Sequence, residues 1–130
     1  MKGIFISAAV AASIVAAGSA HAAAPLKIGH VYGVSGAFEK YARTLKEGME
    51  MGFEYMTNGK NVIQGRKIEI IEKDTQLKAD LGRTLVAEAM GDDKVDMVVG
   101  PLSSGVVLAA LPVAAEYKKI LIAEGASNDI

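Results

Sequence analysis

The sequence predicts an α/β fold, a parallel Rossmann-like sheet flanked by helices. Four short apolar segments alternate with three longer segments whose apolar residues recur every three or four positions. No long linker, low-complexity tract or block of like charge separates them. Parallel neighbours need crossover connections, and the connecting helices pack back onto the sheet. The alternation therefore favours a right-handed parallel layer.

The expected elements follow one another closely along the chain. The predicted strands are Leu26–Tyr32, Arg66–Glu72, Val95–Gly100 and Ile120–Ala123. The predicted helices are Phe38–Met56, Asp80–Met90 and Val106–Tyr117. On the first helix, the spacing places one set of side chains on an inward face: Tyr41, Leu45, Met49, Phe53 and Met56. Turn residues at 58–61 and Gly65 precede the second strand.

The first two dozen residues have the pattern of an export signal. Lys2 is followed by an apolar and small-residue run, and Ala20-His21-Ala22 fits a small-x-small cleavage site. We expect residues 1–22 to be a cleavable signal peptide and residues 23–130 to be the mature, exported part. A transmembrane anchor is the alternative, but the run is mostly alanine and its apolar core is short.

Composition excludes several classes of function. A chain of 130 residues forms at most one ordinary domain, and a net charge of −1 lacks the excess that sequence-independent nucleic-acid binding needs. The absence of cysteine excludes disulfides, thiolate nucleophiles and cysteine-based metal sites. No cofactor, metal or nucleic acid is predicted as a partner.

The candidate site lies beyond the carboxyl ends of the strands, where ligands bind in such sheets. The loops there are Gly33–Tyr41, Asp74–Gln76, Pro101–Gly105 and Glu124–Asp129. In the third loop, Ser103 and Ser104 precede a helix whose free N–H groups and dipole favour an anion, so this loop predicts capture of a carboxylate. Alternatively, one serine caps its own helix.

Enzymatic interpretations fit less well. Gly105 is followed by valine rather than the lysine of a phosphate-binding loop, and the two serines are out of frame for a nucleophile elbow. His30 lies within the first strand and is interpreted as a hydrogen-bonded structural histidine. Asp74 has no partner carboxylate at a diagnostic spacing and is interpreted as a turn or cap residue. The chain is predicted not to be an enzyme.

Several motifs, in order, resemble the periplasmic solute-binding proteins of branched-chain amino-acid ABC transporters, the leucine-binding-protein-like group. They are Lys27-Ile28-Gly29, Val34-Ser35-Gly36, the run from Asn61 to Glu69, the run from Val98 to Gly105, and Ala114-Ala115-Glu116-Tyr117. The resemblance implies the first lobe of a type I periplasmic-binding-protein-like fold. It also implies a monomeric periplasmic receptor that delivers a small amino acid or carboxylate to an ABC permease in the inner membrane.

The resemblance also assigns site residues one at a time. Ser104 matches the serine that holds the ligand carboxylate, with Ser103 beside it. The carbonyl of Gly125 and the hydroxyl of Ser127 match the groups that receive the ligand ammonium, and Tyr41 matches an aromatic residue beside the ligand. Where the family often has a disulfide near the serine loop, this chain has none, so we expect packing alone to hold the loop.

Family members continue into a second lobe, so this chain is expected to be the start of a first lobe, truncated at Ile130. The ligand stays open between a branched-chain or other small amino acid and an aromatic or other carboxylic acid. Glu124 or Asp129 would favour a cationic group if either points inward. A ligand-sensing domain of a signalling protein and a hydrolase on a similar sheet are the alternatives from other classes.

Overall fold

The computed structural model describes residues 23–125. Within them, five strands form one sheet in the order β2-β3-β1-β4-β5. The strands are β1 (Leu26–Tyr32), β2 (Val62–Ile63), β3 (Arg66–Asp74), β4 (Met97–Val99) and β5 (Ile120–Ile122). The helices are α1 (Glu39–Thr57), α2 (Ala79–Gly91) and α3 (Ser104–Tyr117). The α/β fold class is confirmed.

The four predicted strands are parallel to one another, as expected. β1 pairs with β3 on one side and with β4 on the other, and β5 extends the sheet beyond β4. The predicted ends differ by a few residues: α3 begins at Ser104 rather than Val106, and β4 covers only Met97–Val99. The earlier start of α3 places both serines at its N-terminus.

The sequence prediction missed β2, so the sheet is mixed rather than wholly parallel. Val62 and Ile63 pair antiparallel with Lys67 and Arg66. The turn between the strands is the dipeptide Gln64-Gly65, and both residues have positive φ, 50° and 78°. Two consecutive residues in this region are typical of a type I′ hairpin turn, which matches the twist of paired strands.

The main core lies between the sheet and the helices α2 and α3. Its nine buried residues are Val31, Val86, Ala89, Met90, Val95, Val98, Ala110, Val113 and Ala114. Gly29 adds close packing, because a Cβ atom there would lie 3.3 Å from both the Ala89 and the Val98 side chains. This face therefore has the dense packing that stabilises a domain.

The opposite face of the sheet is covered by α1 and is less completely packed. A smaller cluster of Tyr32, Ala42 and Leu102 is buried there. The prediction that Tyr41 and Met56 point inward is wrong, because they are 61% and 74% exposed. The buried positions at the two ends of α1 are Ala42 and Thr57, each the next residue along the chain. The inward side of the helix therefore passes through these residues rather than through Tyr41 and Met56.

Among residues 23–125, no helix combines the length and the apolar character needed to cross a membrane. The predicted signal peptide, residues 1–22, lies outside the described residues.

Candidate functional site

A cavity of about 420 Å³ opens at the carboxyl edge of the sheet, at the N-terminus of α3. It is lined by Phe38, Tyr41, Leu102, Ser103, Ser104 and Glu124. These residues come from three of the four loop regions that the sequence predicts as the binding side. The cavity thus combines aromatic and apolar walls, two hydroxyls and one carboxyl group.

The loop between β4 and α3 is held by backbone hydrogen bonds to the segment around β5. The Gly100 amide donates to the carbonyl of Ile122 (3.1 Å), and the Glu124 amide donates to the carbonyl of Pro101 (3.0 Å). The expectation that packing alone holds this loop is therefore wrong. These bonds place Glu124 beside the start of α3, since both segments are tied at Pro101.

Gly100 lies directly over His30, and its φ of 100° is one that L side chains rarely adopt. A Cβ atom at this position would lie 2.6 Å from Cδ2 of His30. Only glycine permits both this close approach and this backbone conformation. The chain can therefore turn sharply after β4 and present the N-terminus of α3 to the cavity.

The two serines of this loop have different roles in the structure. Ser103 is the N-cap of α3, and its Oγ accepts a hydrogen bond from the Val106 amide at 3.4 Å. Capping is therefore the observed role of Ser103. Ser104 is the first residue of the helix and lines the cavity half-buried. The positive end of the α3 dipole thus faces the cavity beside a hydroxyl.

Glu124 brings a carboxyl group to the same cavity. Its side chain is half-buried, and partial removal from water raises the pKa of the Glu124 carboxyl above its ordinary value. Within residues 23–125, no lysine or arginine forms an ion pair with it. The cavity therefore contains an acid without a compensating cation from the described chain.

Asp74 organises the loop that leads from β1 to the aromatic wall. Its carboxylate accepts hydrogen bonds from the Val34 amide (3.0 Å), the Ser35 hydroxyl (2.6 Å) and the Gln76 amide (2.9 Å). Burial alone would raise the pKa of Asp74, but these bonds, led by the one from Ser35, lower it below its ordinary value. The interpretation of Asp74 as a turn residue is confirmed.

His30 is buried below the site and is 1% exposed. Its ring stacks on Tyr32 with the centroids 3.8 Å apart. Burial lowers the pKa of His30 to about 4, against a smaller opposing effect of the Glu72 charge. The structural role is as predicted, but the hydrogen bond is not, because Nδ1 has no partner among residues 23–125. Strand spacing places the ring in the interior without specifying a polar neighbour.

A polar network surrounds this histidine on the α1 side of the sheet. The Tyr32 hydroxyl donates to Glu72 Oε2 at 2.6 Å, and Lys46 Nζ contacts Glu72 Oε1 at 2.6 Å. The Lys46 contact first, and the Tyr32 contact second, lower the pKa of Glu72. Glu72 is thus occupied in joining α1 to the sheet.

The structure brings three of the five predicted site residues together at the cavity: Tyr41, Ser103 and Ser104. Gly125 is half-buried next to Glu124 but is not among the residues that line the cavity. Ser127 and Asp129 lie outside the described residues. Phe38 and Leu102 also line the cavity and were not predicted as site residues, although both lie in loops that the sequence predicts on the binding side.

No cluster of three or more His, Cys, Asp or Glu side chains suited to a metal ion occurs in the described part of the chain. The groups at the cavity are two hydroxyls, a helix N-terminus, a carboxyl group and two aromatic rings.

The fold is similar to those of several solved transport proteins. A Rhodopseudomonas palustris structure, described as an ABC-type branched-chain amino acid transporter, shares 49% sequence identity at a TM-score of 0.77, over 80% of this chain and 28% of that chain. The branched-chain amino acid transporter substrate-binding protein LivJ of Streptococcus pneumoniae, in complex with isoleucine, shares 26% identity at a TM-score of 0.73, over 80% and 30%.

A third structure has a different ligand. The solute-binding protein of an ABC transporter from Rhodopseudomonas palustris BisB5, in complex with 3,4-dihydroxybenzoic acid, shares 25% identity at a TM-score of 0.71, over 82% of this chain and 28% of that chain. The present chain thus spans less than a third of the length of the solved chains that it resembles. No curated protein matches it.

The family comparison agrees with the structural ones. A family model described as periplasmic binding protein matches residues 25–129, which is most of the chain. The match includes every strand and helix of the structure and the whole loop that carries Ser103 and Ser104. The chain belongs to the periplasmic binding protein family.

Proposed function

We propose that this chain forms the first part of the N-terminal lobe of an exported receptor, which binds a branched-chain or other small amino acid and delivers it to an ABC permease. In this proposal, residues 1–22 are the cleaved signal peptide and residues 23–130 belong to the periplasmic ligand-binding domain. The receptor binds its ligand without covalent chemistry and acts as a monomer.

The observation that carries the proposal is the cavity at the start of α3. It combines an anion-favouring helix N-terminus, the half-buried Ser104 hydroxyl and an apolar wall of Phe38, Tyr41 and Leu102. A small acid with an apolar side chain matches this set of groups. Ser104 binds the carboxylate, Ser103 shapes the helix terminus, and Tyr41 lies beside the ligand. Gly125 and Ser127 contribute from the next loop.

A second candidate is an aromatic carboxylic acid as the ligand of the same receptor. Phe38 and Tyr41 both line the cavity, and aromatic rings favour offset or edge contacts with a ligand ring. The relative in complex with 3,4-dihydroxybenzoic acid supports this candidate. Both candidates use the same carboxylate end and differ in the remaining groups of the ligand.

Calorimetric titration of the purified protein tests the proposal. The probes are L-leucine, L-isoleucine, L-phenylalanine and 3,4-dihydroxybenzoate. We expect at least one probe to bind, and Ser104→Ala to weaken that binding by about tenfold, because a hydrogen bond to a charged group contributes roughly 1.5 kcal/mol or more.

Thr84→Ala is the matched control, because Thr84 lies on α2 and its hydroxyl bonds only within that helix, to the Asp80 carbonyl. The control should bind like the wild type. If no probe binds, or if the Ser104 and Thr84 variants bind alike, the proposed function is wrong.

A further inference from the structure

Glu124 is the single acidic side chain among the described residues that line the cavity. A backbone hydrogen bond holds this residue next to the loop that leads into α3. The Glu124 amide donates to the Pro101 carbonyl at 3.0 Å, and Pro101 begins the loop that leads into α3. The backbone of Glu124 is therefore tied to the loop before α3, and Glu124 lines the same cavity as the N-terminus of that helix.

The Glu124 carboxyl group has no cationic side chain as a partner among residues 23–125. The described chain gives it no lysine or arginine partner, whereas Glu72 and Glu88 on the same domain each have a lysine within 2.8 Å. A half-buried carboxylate without a cation is unfavourable relative to one in water. A positively charged ligand group at this place would remove that cost.

The two sides of the cavity favour opposite charges. The N-terminus of α3 and Ser104 favour an anion, while Glu124 favours a cation. An α-amino acid carries a carboxylate and an ammonium group on a single carbon atom. A ligand with a carboxylate alone would instead bring a second negative charge into the cavity with Glu124.

We infer that Glu124 is the residue that selects for an amine: it binds the ammonium group of the ligand and disfavours carboxylic acids that lack one. This inference rests on the proposed function and decides between its two candidate ligands. It assigns an α-amino acid with an apolar side chain, and it makes the charge of one side chain responsible for rejecting aromatic and aliphatic acids without an amine.

The test uses pairs of probes that differ only in the amine, L-leucine with isocaproate and L-phenylalanine with hydrocinnamate. Each is titrated into the wild type and Glu124→Gln by calorimetry. We expect the wild type to prefer the amino acid of a pair. In Glu124→Gln, the amino acid should bind about 10- to 100-fold more weakly, and the acid without an amine should bind more tightly.

If Glu124→Gln weakens binding of the amino acid and strengthens binding of the acid without an amine, Glu124 recognises the amine. A merely structural role would weaken binding of both. Glu116→Gln is the matched control, since Glu116 is exposed near the other end of α3. Lowering the pH should act on the wild type as Glu124→Gln does, because protonation removes the same charge. Thermal unfolding of each variant checks that the protein remains folded.

The outcomes separate this inference from the proposed function. If both members of a pair bind the wild type equally, and Ser104→Ala weakens both, the receptor function stands and the role of Glu124 is wrong. If Glu124→Gln weakens both members alike, the role of Glu124 is also wrong. If neither member of either pair binds the wild type, the proposed function and this inference fail together.

Discussion

The two faces of the sheet differ in how they are held together. Toward α2 and α3, nine buried residues form a continuous apolar core. Toward α1, a polar network joins Lys46, Glu72 and Tyr32, and a cavity of about 400 Å³ lies between α1 and β3. The comparison indicates that stability depends mainly on the α2–α3 face. That face also fixes α3, whose N-terminus forms the anion-favouring side of the candidate site.

Two methionines, one buried on α2 and one exposed on α1, give the largest expected contrast. Met90 on α2 is 2% exposed, whereas Met56 on α1 is 74% exposed. Met90→Ala should lower the free energy of unfolding by about 2–5 kcal/mol, because it leaves a cavity in the core. Met56→Ala should change it by less than about 0.5 kcal/mol. Urea unfolding measures both, and equal losses would contradict the comparison.

Glycine-to-alanine changes in the two helices should have opposite signs. A Cβ atom at Gly82 on α2 would clash with Val106 of α3, so Gly82→Ala should destabilise by about 1–3 kcal/mol. A Cβ atom at Gly48 on α1 meets no described neighbour within 4 Å. Gly48→Ala should therefore stabilise by about 0.5–1 kcal/mol through helix propensity. Thermal unfolding of the two variants would refute the assignment if both shifted in the same direction.

The buried histidine on the α1 face predicts a loss of stability on mild acidification. The pKa of His30 is lowered from 6.5 to about 4, so between these values the unfolded state binds the proton more readily than the folded state. The free energy of unfolding should fall by about 2 kcal/mol between pH 7 and pH 5 from this residue. Unfolding by urea at several pH values measures this slope.

The matched variant for this prediction is His30→Gln, which does not titrate. The raised pKa of Glu124 acts with the opposite sign in both proteins, so the difference between them isolates His30. The carboxyl groups whose pKa values are lowered, Glu72, Asp74 and Asp96, lose their contributions at lower pH than this window. Equal slopes for the wild type and the variant would refute the prediction.

The smallest expected effect is at the N-terminus of α3. Ser103→Ala removes the hydroxyl that accepts from the Val106 amide, at a long distance of 3.4 Å. The free energy of unfolding should fall by about 0.5–1 kcal/mol, at the lower end for a helix cap. Ser103→Asp should restore it in the absence of ligand. If Ser103→Ala lowers the free energy of unfolding as much as Met90→Ala does, the stability does not depend mainly on the α2–α3 core.

The sequence predicted the fold class and the serine loop of the cavity because both follow from local patterns. Strand and helix periodicity identified β1 and the three helices, and the parallel arrangement placed Ser103 and Ser104 at the carboxyl edge of the sheet. The assignment of Tyr41 came from the family resemblance. The two-residue strand β2 was missed because it is too short for any periodicity. Its Gln64-Gly65 turn was read as a bend without a hairpin.

The remaining features depend on contacts between distant segments. The burial of Ala42 and Thr57 in place of their neighbours Tyr41 and Met56 depends on how α1 is rotated against the sheet, which spacing along one helix does not specify. The position of the Glu124 backbone beside the start of α3 depends on its bond to the Pro101 carbonyl, across more than twenty residues. Similarly, the stacking of His30 on Tyr32 and the approach of Gly100 to its ring require the folded sheet.

A crystal structure of the protein grown with saturating L-leucine would show directly which groups of the cavity hold the two charges of the ligand. We expect leucine in the cavity, with its carboxylate at the Ser104 hydroxyl and the N-terminus of α3, and with its ammonium group within hydrogen-bond distance of the Glu124 carboxylate. Leucine bound away from this cavity, or held with its carboxylate away from α3, would contradict this expectation.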